Sequence, residues 1–387
     1  MTGVGGRVSR SCPGCCRPSA TLPWPWETPF DLLNRLRFKA NLFELFMKRR
    51  SLLGLSAILG ILSLSLVAAM APKSTPLEVG TGQRLMVVAP HPDDETLGAG
   101  GLVQRVLERG GSVLVVLVTA GDGYRQAVMD ETGKPQPSPS QYIAYGKLRL
   151  REAHATLHKL GHARLQFLGF PDGGLDRLLH AHWQRSHPER SQTTGASDPP
   201  YANALEPDVP YDGSDLRREL VRLLRETDPT IVAMPDPLDE HPDHRATSIF
   251  TLLALNDWLG ETSTPKAAKR PLAMPQLLTY LIHWENWPPD SNAKTPVHDP
   301  SNASLELPQD LPLRGLARTA LTLTDKEAET KRVALAQYVS QQKEMAPFLA
   351  AFVRRTEPFT VVSEAELRRV GEMTTLPGNA KGTRTAP

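Results

Sequence analysis

The chain has 387 residues, with 44 Lys and Arg against 42 Asp and Glu, so its formal net charge is only +2. This balance, without a basic stripe, excludes the electrostatic footprint of a nucleic-acid-binding protein, and no nucleic-acid partner is predicted. The length allows one domain of about 300 residues with further segments at both ends. All three cysteines precede residue 47, which excludes a disulfide framework in the rest of the chain.

The first element in chain order is an uncharged apolar run at residues 51–71, directly after Lys48-Arg49-Arg50. A bilayer is crossed by about 20 apolar residues. We therefore predict a signal peptide or membrane anchor at 47–72, with Met47 as the true start and 1–46 as a non-native or disordered extension. Since positive charge stays inside, the following domain is predicted to be exported or anchored on the periplasmic or extracellular side.

Strands and helices alternate after this segment. Buried strands are predicted at 84–89, 113–118, 164–168, 230–234 and 277–282, and helices at 97–109, 147–160, 214–225 and 246–259. This order is typical of an α/β fold with a Rossmann-like, doubly wound, mostly parallel sheet. In such sheets ligands bind beyond the carboxyl ends of the strands.

Three Pro-rich polar stretches at 130–142, 184–213 and 285–314 lack a clear period and are predicted to be loops around the site. Thr324 with Glu327 forms a capping-box pattern for a helix through about Lys343, and Ser363 with Glu366 begins another. The predicted domain spans 80–372, followed by a disordered tail at 373–387.

Two clusters of polar residues follow predicted strands: His91-Pro92-Asp93-Asp94-Glu95 and His241-Pro242-Asp243-His244. Because both lie at strand ends, we expect one composite site. His91, Asp94 and His244 would give three nitrogen and oxygen ligands, which leaves the fourth position of a tetrahedral Zn²⁺ open for water. Iron, cobalt or manganese would also accept these ligands.

The remaining residues of the two clusters are assigned catalytic roles. Asp93, beside a ligand but free to point elsewhere, suits a general base, and His241 could donate a proton or stabilise an oxyanion. Asp243 could orient one of the histidines, as carboxylates behind metal ligands do.

The motifs resemble the PIG-L, or LmbE-like, family of zinc-dependent N-acetylglucosaminyl deacetylases. The resemblance covers roughly residues 84–345, and Ala120 stands where the family has Asn. It is carried by Val87-Val88-Ala89-Pro90-His91-Pro92-Asp93-Asp94-Glu95, Thr119-Ala120-Gly121-Asp122, Phe167-Leu168-Gly169-Phe170-Pro171-Asp172-Gly173 and His241-Pro242-Asp243-His244.

The resemblance implies an enzyme that removes acetyl from an N-acetylated amino sugar. It makes His91, Asp94 and His244 the zinc ligands, Asp93 the general base and His241 the oxyanion or acid group. These implied roles agree with those argued from the residues.

Three further residues are ambiguous. Asp122 and Arg149 are predicted to bind substrate, although Asp122 also fits a common Gly-Asp-Gly turn and Arg149 has Glu152 at helical spacing, an ion pair that we slightly favour. His283 ends a predicted strand, and a core histidine is the favoured interpretation.

Two alternative functions stay open at this point. The same site would serve a zinc amidase that acts on another N-acyl substrate. A non-catalytic sugar-binding protein of the cell envelope could have kept the fold, but it would have no need of an unligated Asp93. The sequence leaves the oligomeric state unknown.

Overall fold

In the computed structural model, the described residues are 74–262, 274–292, 303–312 and 316–373. The predicted extension at 1–46 and the segment at 47–72 lie outside these ranges and stay predictions. The predicted tail at 373–387 also lies outside them except for Met373, which ends a helix. Among the helices of the described ranges, none combines the length and the apolar character that a membrane span requires.

An eight-stranded sheet forms the centre of the domain, in the order β1-β7-β8-β6-β5-β2-β3-β4. Every strand pair is parallel except those that β8 makes with β6 and β7, which are antiparallel. The predicted mostly parallel sheet is confirmed. The strands are β1 (Thr75–Pro76), β2 (Arg84–Ala89), β3 (Ser112–Thr119), β4 (Arg164–Phe170), β5 (Ile231–Pro235), β6 (Gln276–Tyr280), β7 (Ala317–Thr322) and β8 (Thr356–Val362).

Helices connect most of these strands and cover both faces of the sheet. In β2, Leu85, Val87 and Ala89 enter one apolar core, whereas Met86 and Val88 enter another. Since successive side chains of a strand point to opposite faces, both faces are buried, as in a doubly wound fold. The helices are α1 (Asp94–Glu108), α2 (Arg125–Thr132), α3 (Pro139–Lys159), α4 (Leu175–His180), α5 (Gly213–Thr227), α6 (Pro242–Thr262), α7 (Asp325–Leu335), α8 (Val339–Ala351) and α9 (Glu364–Met373).

The sheet has its switch point between β2 and β5. From β2 the chain continues outward through β3 and β4, and the strands β5 and β6 lie on the other side. The carboxyl ends of β2 and β5 therefore border the crevice where ligands bind in this kind of sheet. The motifs at His91 and His241 follow these two strands.

Only some of the residues predicted to form loops are irregular in the structure. The stretch 130–142 is helical at both ends, since α2 extends to Thr132 and α3 begins at Pro139, so only 133–138 is irregular. Proline is tolerated in the first turn of a helix because its missing N–H would have no partner there, and Ser138 with Gln141 completes a capping box. The stretch 184–212 is irregular as predicted, as are the described residues within 285–314.

The C-terminal part differs most from the prediction. The single helix predicted from Thr324 to about Lys343 is two helices, α7 and α8, separated by residues 336–338. The strands β7 and β8 were not predicted. The helix predicted from Ser363 is confirmed as α9.

Candidate metal and catalytic site

The turn between β2 and α1 is strained at Asp93. Its backbone has φ 119° and ψ −33°, a conformation that is costly for any residue other than glycine and that clusters at functional sites. The turn is held by Glu95, whose Oε2 accepts the Asp93 N–H at 3.0 Å, and by Arg149, whose guanidinium donates to the carbonyl of Pro92. The surrounding structure thus fixes the direction of the Asp93 side chain.

The structure brings the three predicted metal ligands together. Asp94 Oδ2 lies 3.1 Å from His91 Nδ1 and 3.2 Å from His244 Nε2. Two atoms bound tetrahedrally to one Zn²⁺, each about 2.1 Å from it, are about 3.4 Å apart. The two separations are therefore of the right size for ligands of one ion.

The donor set also fits a cation chemically. His244 is completely buried, and neither of its ring nitrogens makes a hydrogen bond of good geometry. A buried imidazole of this kind needs another partner, and a bound metal ion would be one. The described residues contain groups of His and Asp side chains whose possible ligand atoms lie within 4.8 Å of one another. These groups share members, since His91 and His244 each belong to two of them.

Carboxylates surround the two histidines on their far sides. His91 Nε2 lies 3.1 Å from Asp172 Oδ1 and 3.5 Å from Asp243 Oδ2, and His244 Nδ1 lies 3.2 Å from Asp239 Oδ2. Carboxylates in this position orient metal-binding imidazoles and increase their basicity. Asp243 thus lies near a ring nitrogen of His91, and its predicted role in orienting a histidine stays a prediction.

These charges shift the titration of both imidazoles upward. Burial lowers the pKa of His244, but the charges of Asp239 and Asp94 outweigh it and raise the pKa to about 9. Burial also acts to lower the pKa of His91, but Asp172 outweighs it and raises this pKa well above its usual value. The site thus has a negative potential that favours a bound cation.

Asp93 is paired with Arg149, whose guanidinium lies 2.9 Å from Asp93 Oδ2. The favoured ion pair between Arg149 and Glu152 is therefore wrong. Glu152 instead accepts the N–H and hydroxyl of Ser340, at 2.9 and 2.6 Å. Burial raises the pKa of Asp93 to about 7, although the charge of Arg149 acts to lower it.

The neutral His241 ring can donate a hydrogen bond through Nε2. Its Nδ1 accepts the backbone N–H of Asp243 at 3.2 Å, which leaves the proton of the neutral ring on Nε2. Burial and the neighbouring histidines lower the pKa of His241 well below its usual value. The ring is therefore neutral and offers an N–H donor.

The two predicted substrate-binding residues are buried. Asp122 accepts a hydrogen bond from the hydroxyl of Tyr201, and burial raises the pKa of Asp122 to about 7. Arg149 lines the cavity, as do Gly123 and Tyr124, which follow Asp122 in the chain. A substrate contact of Asp122 stays a prediction.

His283 belongs to the site, so the favoured interpretation as a core histidine is wrong. Its ring centroid lies 4.9 Å from that of His244 and 5.4 Å from that of His241. The ring stacks on Phe348, with centroids 5.5 Å apart and planes 9° apart. Burial lowers the pKa of His283 to about 4, so the ring is neutral.

A cavity of about 440 Å³ adjoins these residues. Its lining includes both polar and apolar side chains. The polar ones include His91, Asp93, Asp94, His241, Asp172, Gln192 and Thr193, and the apolar ones include Leu97, Ile282, Met345 and Phe348. Since Gln192 and Thr193 belong to the stretch 184–213, one predicted loop does shape the pocket.

Sequence reasoning assigned no role to Asp172, Asp239 or His283. Asp239 precedes His241 by two residues, so its position in the cluster was visible, but its contact with His244 depends on the fold. Asp172 lies in a stretch that carries the family resemblance. His283 lies after β6, the neighbour of β5, and sheet order was needed to place it.

Comparison with known proteins confirms the family resemblance over part of the chain. Residues 86–255 match the family described as PIG-L: GlcNAc-PI de-N-acetylase. A 1D-myo-inositol 2-acetamido-2-deoxy-alpha-D-glucopyranoside deacetylase from Tsukamurella paurometabola is 32% identical over 186 residues, 45% of this chain and 55% of that protein. A diacetylchitobiose deacetylase from Thermococcus kodakarensis is 24% identical over 177 residues, 45% of this chain and 49% of that protein.

Among solved structures, the conserved protein TT1542 from Thermus thermophilus is 22% identical, with a TM-score of 0.43. The match covers 73% of this chain and 95% of that one. The chain spans about half the length of the curated relatives it matches.

Proposed function

We propose that this protein is a metal-dependent hydrolase that removes the N-acetyl group from an N-acetylglucosamine-containing substrate, releasing acetate and a free amine. One observation carries the proposal: Asp94 Oδ2 lies within 3.2 Å of a ring nitrogen of His91 and of His244, and Asp94 lines a cavity together with His91 and Asp93. The family match over 86–255 and the names of the relatives support the same reaction.

His91, Asp94 and His244 would hold the ion, for which we propose Zn²⁺, since two imidazoles and one carboxylate suit a catalytic zinc site. When bound, the ion would bring the pKa of water near 7 and polarise the amide carbonyl. Iron, cobalt and manganese are alternatives to be separated by metal analysis.

The side chains around the ligands supply the proton transfers. Asp93, held by Arg149, accepts the proton of the attacking water, and the Nε2–H of His241 donates a hydrogen bond to the oxygen on which negative charge develops. Asp93 then returns this proton to the leaving nitrogen. Water adds to the amide, the C–N bond breaks, and acetate and amine are formed.

A second candidate, hydrolysis of another N-acyl substrate, is favoured by apolar residues that line the cavity. Met345 and Phe348 on α8 line the same cavity as the catalytic groups, together with Ile282. An acetyl group has one methyl, so these apolar side chains would also accommodate a longer acyl chain or an apolar group attached to the sugar.

We further propose that the enzyme acts outside the cytoplasm and that the segment at 51–71 anchors it if uncleaved. The support is the uncharged apolar run after Lys48-Arg49-Arg50. Fractionation of cells that produce the full chain would test this. Recovery of the enzyme only in the cytoplasmic fraction would contradict it.

The reaction is tested by measuring acetate release from N-acetylglucosamine conjugates by the zinc-loaded full chain. The panel ranges from the free sugar to glycan and inositol conjugates and includes N-acylglucosamines with longer chains. Release of acetate supports the proposal, release of only longer acids favours the second candidate, and no release from any member contradicts both. Binding of the sugars without release would indicate a non-catalytic binding protein.

The substitution Asp93→Asn tests the role of the base. It should retain one metal per chain and lower kcat by about 10²–10⁴-fold, the usual contribution of a positioned general base. Asp208→Asn, which changes an exposed carboxylate, is the matched control and should keep full activity. Full activity in Asp93→Asn would contradict the assignment.

A further inference from the structure

Helix α1, which begins with the candidate ligand Asp94, is broken after its first turn. Ala99 has φ −142° and ψ 15°, outside the helical range. In an unbroken α-helix the N–H of Gly101 would donate to the carbonyl of Leu97, and that of Leu102 to the carbonyl of Gly98. The break leaves these buried groups in need of other partners.

The ion pair of Lys331 and Glu357, which are distant in sequence, provides partners for these backbone groups. Lys331 Nζ donates to the carbonyl of Leu97 at 2.8 Å, and Glu357 accepts the N–H groups of Gly101 and Leu102 at 2.7 and 2.9 Å. Lys331 Nζ and Glu357 Oε1 lie 2.7 Å apart. One backbone hydrogen bond of the helix is thus replaced by a bridge through two side chains.

The bridge is enclosed and tightly fitted. Both side chains are only 1% exposed, and a buried charged pair is stable only when its remaining donors and acceptors are satisfied. A Cβ atom at Gly101 would lie 3.0 Å from Glu357 Oε2 and 2.3 Å from a methyl carbon of Leu323. Glycine at 101 therefore allows the carboxylate to reach the backbone.

We propose that Lys331 and Glu357 are positioning residues that set the direction of the first turn of α1 and thereby hold Asp94 and Asp93 in the geometry that binds the metal. Lys331 lies on α7 and Glu357 on β8, so both are outside the residues that match the family model. The inference rests on the proposed function, because it assigns to Asp94 the role of a ligand.

The geometry explains why the ion pair acts on the ligands and does more than fill the core. Leu97, whose carbonyl Lys331 binds, lies three residues after Asp94 and also lines the catalytic cavity. Rotation of this short turn would displace Asp94 Oδ2 relative to His91 and His244. The longer part of α1 is held independently by Arg105, which is paired with Glu327 at 2.6 Å.

The test measures the dissociation constant of Zn²⁺ by competition with a chromophoric chelator, together with kcat, KM and the melting temperature. Glu357→Asp keeps both charges and shortens the reach by one methylene, and Lys331→Met removes the cation. Both should weaken Zn²⁺ binding by about 10–100-fold, the usual effect of changing groups that orient ligands, and lower kcat more than KM changes. Lys331→Arg should restore part of the affinity.

Glu327→Gln is the matched control, because it breaks another ion pair between α1 and α7 beyond the kink. It should lower the melting temperature and leave the Zn²⁺ affinity unchanged. Unchanged affinity in Glu357→Asp and Lys331→Met would overturn the inference and leave the proposed function intact. A full chain that binds no Zn²⁺ and releases no acid would contradict the proposed function itself.

Discussion

Two regions of the domain contribute differently to the site. The first region, residues 84–262, supplies His91, Asp93, Asp94, His241 and His244 from turns after two parallel strands. The second region, residues 276–373 where described, supplies His283, the apolar residues Met345 and Phe348 of α8 that line the cavity, and buried groups that hold the first region in place. The difference teaches that the chemistry and its support are encoded in separate parts of the chain.

Hydrogen bonds made by α8, and by Tyr338 directly before it, illustrate this support. The hydroxyl of Tyr338 donates to Glu95 at 2.5 Å, Ser340 donates to Glu152, and the amide of Gln341 donates to the hydroxyl of Tyr145 at 2.7 Å. Each pair joins a buried polar group of the first region to one of the second. The family match covers the first region and omits this second set.

Substitution of Asp239 should give the largest effect on the link between the regions. Asp239 Oδ2 lies beside His244 Nδ1 and accepts the N–H groups of Ile282 and His283 at 2.9 and 3.0 Å. In Asp239→Asn the amide cannot accept all of these protons, so Zn²⁺ affinity should fall by about 10–100-fold. Chelator competition measures the change.

Asp236→Asn is the control for Asp239→Asn. Asp236 belongs to the same turn and is similarly buried, but it accepts from Thr279 and Leu238. Its substitution should leave the Zn²⁺ affinity within about 2-fold, since a carboxylate tunes a metal site only when it contacts one of the ligands. Equal losses of Zn²⁺ affinity in both variants would show that Asp239 acts only by maintaining the structure of the turn.

Gly98→Ala should disturb the packing between the regions. Its Cβ would lie 2.3 Å from the ring of Tyr280, a fully buried side chain on β6 whose hydroxyl donates to the carbonyl of Val88 at 2.7 Å. Overpacking of this kind costs about 1–3 kcal/mol. Denaturant unfolding measures it, with Gly260→Ala as the control because nothing lies within 4 Å of its Cβ.

A pH-dependent effect is expected at Glu219, on α5 and away from the link. Burial raises its pKa to about 8, and neither carboxylate oxygen has a hydrogen-bond partner. Between the unfolded value of 4.5 and about 8, the folded chain keeps a proton that the unfolded chain loses. The free energy of unfolding therefore falls as pH rises, by at most about 1.4 kcal/mol per pH unit.

Glu219→Gln should remove this pH dependence without changing activity. Unfolding curves between pH 5 and 8 measure it, and Glu226→Gln, which changes an exposed carboxylate on the same helix, is the control. Parallel curves for the wild type and Glu219→Gln would contradict the expectation.

The sequence predicted the first region well because its signals are local. The β-branched runs at β2 and β3 identify buried parallel strands, and the polar clusters follow strands whose carboxyl ends meet at a switch point. His91, Asp94 and His244 could therefore be placed together before any distance was known. The pairing of Arg149 could not, since helical spacing favoured Glu152 and the fold brought Asp93 closer.

The second region was predicted poorly because its strands depend on tertiary contacts. β7 reads Ala-Arg-Thr-Ala-Leu-Thr and β8 contains Pro358, so neither has the apolar run of a buried strand. Likewise, nothing local marks Lys331 and Glu357 as partners of the break in α1. Their role depends on residues more than 200 positions away.

The place of β8 in the sheet has a consequence for biosynthesis. Among the described residues, β8 is the last strand in sequence, yet it lies inside the sheet, between β7 and β6. Because synthesis proceeds from the N-terminus, the edge of β6 has no partner until residues 356–362 have been made. Glu357 belongs to that strand, so the hydrogen bonds that it accepts from Gly101 and Leu102 can form only after this point.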